Sequence, residues 1–198
     1  MSALGADSGL GNLLATVEAR YNRAKTLQVL FQEHYTRQGA PHRTEEGLLQ
    51  LRKPGKMRWD YSQPPGKLFL SDGKYLYLYT PADKRAQRMK LKETDDMRAP
   101  LAFLLGKLHF QREFRNLQAT PAGANWRITA ESKTEDLPYR TVEFVVTPDG
   151  RITDVKVTNY DQAVLEFHFD QEKMDPPLSA ARFQFQLPPG AQLTEGDQ

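Results

Sequence analysis

The sequence predicts a mainly β protein: one curled antiparallel sheet of about eleven strands, joined by a long N-terminal helix and a short internal one. Three observations carry this. Apolar residues recur at every second position through most of the chain, Pro and Gly turn signals separate the runs, and only two segments break the alternation. Runs in hairpin order pair antiparallel, and a sheet of this size curls.

Leu10, Leu13, Leu14, Val17 and Tyr21 fall at helical spacing and put one apolar stripe on a helix over about 8–25, with Ser8 as its cap. The period then changes to two. Leu27, Val29, Phe31 and Tyr35 share one strand face, and after a turn at 39–43 a second strand carries Leu49, Leu51 and Lys53 on one side until Pro54-Gly55. Met57, Trp59 and Tyr61 alternate with Arg58 and Asp60, and Asp72-Gly73 supplies a hairpin turn between 67–71 and 74–80. Residues 85–91 read as a strand and 94–98 as a polar loop.

Pro100 then opens Leu101, Ala102, Phe103, Leu104 and Leu105, apolar all round and stopped by Gly106, which predicts the short helix over about 100–106. Alternation resumes over 111–119 and 126–130 and in Val142, Phe144 and Val146, and the turn Pro148-Asp149-Gly150 leads to 152–160. Leu165, Phe167 and Phe169 mark the next strand. Phe183, Phe185 and Leu187 mark the last, ended by Pro188-Pro189-Gly190.

The 198 residues suit one domain over 1–198, and 39% hydrophobic content can bury a core. A mean hydropathy of -0.66 points to a sheet with one wet face. No run approaches the roughly 18 apolar residues of a spanning helix. Cysteine is absent, which removes disulfides and thiolate chemistry. Residues 1–130 hold 21 basic and 12 acidic side chains, and 131–198 hold 6 and 13, so the chain is electrically two-sided. A basic surface for an acidic partner and solvated strand faces account equally well for that asymmetry. The opening Met-Ser-Ala-Leu-Gly-Ala is not a secretory signal, which leaves a cytosolic protein or a mature form with a substitute start methionine.

Enzymatic chemistry is not expected. No serine sits in a Gly-x-Ser-x-Gly turn, the histidines at 34, 42, 109 and 168 lack ligand spacing, and the glycines are scattered singly, so neither metal, cofactor nor nucleotide is predicted. Glu45-Glu46, Asp95-Asp96 and Glu135-Asp136 read as solvated loop. Tyr75, Tyr77 and Tyr79 on a basic half resemble a stacking platform, but a tyrosine face opposite Leu76 and Leu78 reads better as sheet packing, and no nucleic acid is expected.

By pattern alone the apolar sheet face belongs to an ordinary filled core rather than to a ligand cavity. The order of motifs shifts that balance. Leu49-Gln50-Leu51-Arg52-Lys53-Pro54-Gly55-Lys56-Met57-Arg58-Trp59-Asp60-Tyr61, followed by Leu70-Ser71-Asp72-Gly73-Lys74-Tyr75-Leu76-Tyr77-Leu78-Tyr79, resembles the hallmark stretch of the LolA family of periplasmic lipoprotein carriers. Ala99 to Leu105, Val142 to Gly150 and Phe183 to Gly190 extend the resemblance over about Leu10 to Ala191.

The resemblance implies an unclosed β-barrel covered by the N-terminal helix and a lid helix, with a hydrophobic cavity for lipoprotein acyl chains. It implies partners too: acylated lipoproteins as cargo, an inner-membrane ABC transporter as donor and an outer-membrane receptor lipoprotein as acceptor, with the carrier a periplasmic monomer whose signal peptide has been removed. The implied cavity residues are Leu14, Val29, Phe31, Leu49, Leu51, Met57, Trp59, Leu101, Phe103, Leu104, Phe144, Phe167, Phe183 and Phe185. Where the family has its functional arginine this chain has Lys53, so gating and release fall to Lys53 or to Arg52. A carrier or sensor of another lipid, and a closed basic β-domain binding protein or nucleic acid, are the competing readings.

Overall fold

The computed structural model describes residues 4–91, 108–133 and 139–196. Helix α1 (Leu4–Arg23) leads into β1 (Thr26–Thr36), β2 (Arg43–Arg52), β3 (Lys56–Gln63), β4 (Leu68–Asp72), β5 (Tyr75–Thr80) and β6 (Arg85–Lys90). A four-residue helix, α2 (Phe110–Glu113), precedes β7 (Phe114–Ala122), β8 (Asn125–Ser132), β9 (Tyr139–Val146), β10 (Ile152–Asn159) and β11 (Val164–Met174). A single 3-10 turn (Ala180–Phe183) and β12 (Gln192–Glu195) complete the described elements.

All twelve strands form one sheet in the order β12-β6-β5-β4-β3-β2-β1-β11-β10-β9-β8-β7, which does not close on itself. Every pairing is antiparallel except β12 against β6. The chain folds as two meanders that meet where β1 pairs with β11, which sets β1 of the basic half beside β11 of the acidic half.

Alternation decides what faces inward. Leu27, Val29 and Phe31 of β1, Leu49 and Leu51 of β2, Met57, Trp59 and Tyr61 of β3, and Phe69 and Leu76 beyond them join Ile128, Val142, Phe144, Val155, Leu165 and Phe167 in one buried cluster. Helix α1 lies on that face through Leu14, Val17 and Tyr21, with Leu10 and Leu13 at its margin. It is pinned by polar contacts as well: the Tyr21 hydroxyl donates to Glu172 Oε2 (2.6 Å) and accepts from the Ile152 N–H (2.9 Å), while Arg20 grips Glu172 Oε1. Burial, then the Glu172 carboxylate, raise the Tyr21 pKa far above the ordinary phenol value. Gly150 lets the β9–β10 turn approach the helix, because its φ is +82° and a Cβ there would sit 3.0 Å from Thr16.

Several expectations need correction. Helix α1 begins at Leu4, so Ser8 is inside it rather than capping it, and it stops at Arg23. Residues 110–113 make a helical turn, so the strand expected over 111–119 starts only at Phe114. The expected last strand at 183–187 does not form: Phe183 ends the 3-10 turn and the chain continues irregularly. The true last strand is β12, entirely exposed and carrying one apolar residue, Leu193, so it has no alternation to betray it. The expected helix at about 100–106, with Leu101, Phe103 and Leu104, lies outside the described residues.

Residues 175–190 run across the opposite, outer face of the sheet. Arg52 Nη1 donates to the Leu178 carbonyl, Arg182 reaches Gln50 Oε1 (2.8 and 3.0 Å) and Asp60 Oδ2 (3.1 Å), and Arg58 Nη1 donates to the Arg182 carbonyl (3.1 Å). Phe185 stacks on Tyr77 with ring centroids 4.6 Å apart and an interplanar angle of 8°. That stack covers the middle of the tyrosine face with the chain's own C-terminal segment.

Candidate functional site: an apolar interior with two different ends

Strands β1, β3 and β11 supply the centre of the interior. Trp59 has no exposed surface, meets Phe31 edge-on (centroids 4.7 Å, 70°) and tilts against Phe167 (5.4 Å, 50°). A second aromatic group forms where Phe144 of β9 meets Phe110 (5.4 Å, 89°) and Phe114 (5.9 Å, 73°). Segment 108–110 is fixed to α1, since Asn22 exchanges two hydrogen bonds with the Leu108 backbone (2.9 and 2.6 Å) and Glu18 Oε1 accepts from the Phe110 N–H (2.8 Å).

At one end of the interior, Lys53 follows Leu49 and Leu51 on the inner side and donates from Nζ to the Tyr21 carbonyl (2.5 Å). That carbonyl belongs to the last turn of α1, where carbonyls lack helical partners and the dipole favours a cation. Burial lowers the Lys53 pKa, opposed by the Asp175 carboxylate. Asp175 itself accepts from the Lys25 N–H (2.7 Å) and the Thr26 N–H (3.2 Å), which hold its own pKa below the ordinary value. Arg52, one residue earlier, points to the outer face. The two candidate gating residues therefore touch different parts of the chain: Lys53 the helix, Arg52 the C-terminal segment.

At the other end the inner positions turn polar. Beyond Phe31 comes Glu33, only 4% exposed, which accepts from the Tyr61 hydroxyl (3.2 Å). Lys67 pairs with Glu45 and lies 4.3 Å from the Tyr61 ring centroid, and Arg43 sits over Tyr35 at 5.1 Å. Glu33, Tyr35, Arg43, Glu45 and Lys67, with Asn159 and Asp161, line a cavity of about 320 Å³.

Of the residues expected at the cavity, Leu14, Val29, Phe31, Leu49, Leu51, Met57, Trp59, Phe144 and Phe167 lie together in the buried cluster. Phe183 and Phe185 do not. Phe183 is buried outside that cluster, on a turn packed against β3 and β4, and Phe185 lies on Tyr77 of the outer face. Their alternation is real but belongs to a strap, not a strand. The interior also holds residues that were not among those cavity candidates. Tyr61, Phe69, Leu76 and Phe169 follow the same two-residue period; Phe110 and Phe114 straddle a helix–strand junction, where the alternation read over 111–119 is interrupted by a helical turn.

An open sheet with a greasy inner face, a helix laid over it and a polar outer face defines a half-barrel class built around an apolar interior. Within that class the chain belongs to the LolA family, whose description, outer membrane lipoprotein carrier protein LolA, matches residues 22–186. The outer-membrane lipoprotein carrier protein of Chromobacterium violaceum is 26% identical over 93% of this chain and 88% of its own length. That of Proteus mirabilis is 22% identical over 98% and 94%. Among solved structures, an uncharacterized conserved protein from Thermus thermophilus superposes with a TM-score of 0.55 at 13% identity, covering 94% of this chain and 98% of that one, which shows the shared fold.

Proposed function

We propose that this protein is a periplasmic carrier that shelters the acyl chains of lipoproteins in its apolar interior, taking them from an inner-membrane ABC transporter and passing them to an outer-membrane receptor lipoprotein. The observation that carries the reading is the uninterrupted apolar inner face from Leu76 through Trp59 and Phe167 to Phe144, opposite charged outer positions such as Arg58 and Asp60. Family membership and the names of its relatives support the same conclusion. The physical need is large: hiding a sixteen-carbon chain is worth about 12 kcal/mol at about 0.8 kcal/mol per methylene, so such cargo does not cross water unaided. Carriage requires no bond to be made or broken, and no catalytic role is assigned to any residue.

Lys53 is the release element in this reading. Its bond to the Tyr21 carbonyl holds the end of α1 over the interior, and breaking it frees the helix to move. The test is competition: an apolar fluorescent probe binds saturably and an acylated lipopeptide displaces it, whereas the same peptide without acyl chains does not. Absence of saturable probe binding, or equal displacement by the unacylated peptide, overturns the proposal.

A further inference from the structure

The interior of this protein contains a donor with nothing to donate to. Trp59 Nε1 is buried without a hydrogen-bond acceptor, and among the described residues it is the buried side-chain N–H in that position. Buried hydroxyl donors elsewhere in the interior are satisfied: that of Tyr61 reaches Glu33 and that of Tyr21 reaches Glu172. Trp59 instead packs its ring against Phe31 and Phe167, whose rings carry no acceptor oxygen. An unmade buried hydrogen bond is a standing cost, and a phenylalanine would fill much of the same space without it.

The position of Trp59 gives that N–H a direction in the chemistry of a cargo. One inner position further along β3 is Tyr61 and one further along β1 from Phe31 is Glu33, where the interior becomes the polar cavity described above. An acylated molecule has the same change of character along its length: hydrocarbon, then an ester carbonyl, then a polar glyceryl and peptide portion. An ester carbonyl accepts hydrogen bonds and donates none, which complements an N–H that lacks only an acceptor.

We propose that the Trp59 indole N–H anchors an ester carbonyl of the bound acyl cargo, so that the cargo's glyceryl linkage lies toward Glu33 and its chains run toward α1 and Phe144. The inference rests on the carriage reading and adds an orientation and a preference to it. Trp59 is a specificity residue here: it selects ester-linked chains over hydrocarbon of equal length that presents no carbonyl.

The experiment compares two synthetic lipopeptides with identical peptides and sixteen-carbon chains, one ester-linked and one ether-linked, in competition against the apolar probe. The unaltered protein favours the ester form by about tenfold, the effect of one hydrogen bond that also satisfies a buried donor. Trp59→Phe brings the preference to within about twofold and leaves ether binding nearly unchanged. In 15N spectra of the unaltered protein the Trp59 indole proton moves downfield with the ester ligand and not with the ether, while exposed Trp126 serves as the internal reference. This spectral readout stands even where Trp59→Phe folds poorly. Equal affinity for the two ligands, or an indole resonance that responds identically to both, overturns the anchor while leaving carriage intact. Binding of neither ligand overturns carriage and the anchor together.

Discussion

Replacing Lys53 by methionine removes a charge while keeping much of the stem, and the structure sets what is lost. The Nζ to Tyr21 carbonyl bond at 2.5 Å is charge-assisted, a type worth about 1.5 to 3 kcal/mol, and a cation at a helix C-terminus adds about 0.3 to 1 kcal/mol. Against this stands desolvation: burial lowers the Lys53 pKa, so part of the gain is already consumed in holding the ammonium out of water. The balance is a loss of about 1 to 2 kcal/mol, concentrated at the end of α1. Amide exchange read by mass spectrometry should quicken by roughly five- to thirtyfold across 20–26 in Lys53→Met, with β9 and β10 unchanged, because each 1.4 kcal/mol is a factor of ten. Lys53→Arg should restore most of the protection, since a guanidinium still donates to a carbonyl. Unchanged exchange at 20–26 in Lys53→Met, or uniform acceleration over the whole sheet, would refute the argument that this lysine fastens the helix locally.

Other expectations follow from individual contacts. Gly47→Ala should destabilise by about 1 to 3 kcal/mol in a denaturant titration, because a Cβ there would lie 2.1 Å from the Asp60 carbonyl where β2 and β3 shift register. Phe185→Ala should cost about 1 to 2 kcal/mol and speed exchange in 180–195, since the stacked pair with Tyr77 helps fasten the C-terminal strap; unaltered exchange there counts against it. Asp175 and Asp149 have lowered folded-state pKa values, the first from the Lys25 and Thr26 amides and the second from the Thr147 hydroxyl. Their contribution is therefore present above the unfolded value of about 3.9 and lost as pH falls through the lower folded values, so Asp175→Asn should flatten the acid limb of a stability profile and leave the neutral plateau's shape unchanged.

The inner face was legible in the sequence because a strand exposes its packing in a period of two: Met57, Trp59 and Tyr61 against Arg58 and Asp60 is enough to place five side chains. The same rule misled at Phe183 and Phe185, where alternation came from two aromatics on an irregular strap, and the stack of Phe185 on the sequence-distant Tyr77 is a contact that no local pattern encodes. Strand β12 was illegible for a related reason. Its four residues are exposed, and pairing with β6 combines backbone hydrogen bonds such as Gln192 N–H to the Lys84 carbonyl (2.9 Å), which any residues can make, with an Arg88–Glu195 ion pair between residues far apart in sequence. Alternation with Leu49 and Leu51 set Lys53 at the end of the apolar face, and in the structure its Nζ reaches helix α1. That its partner is the Tyr21 carbonyl was invisible, because backbone acceptors carry no side-chain signature.

Native mass spectrometry of the protein isolated gently from cell envelopes shows whether the apolar interior carries acylated cargo. A carrier yields a population bearing the added mass of an acylated polypeptide, released by displacing acyl ligand and absent after exhaustive delipidation. Protein that emerges from cargo-rich envelopes entirely without bound acyl groups, and that takes up none on incubation with acylated lipopeptide, would contradict carriage.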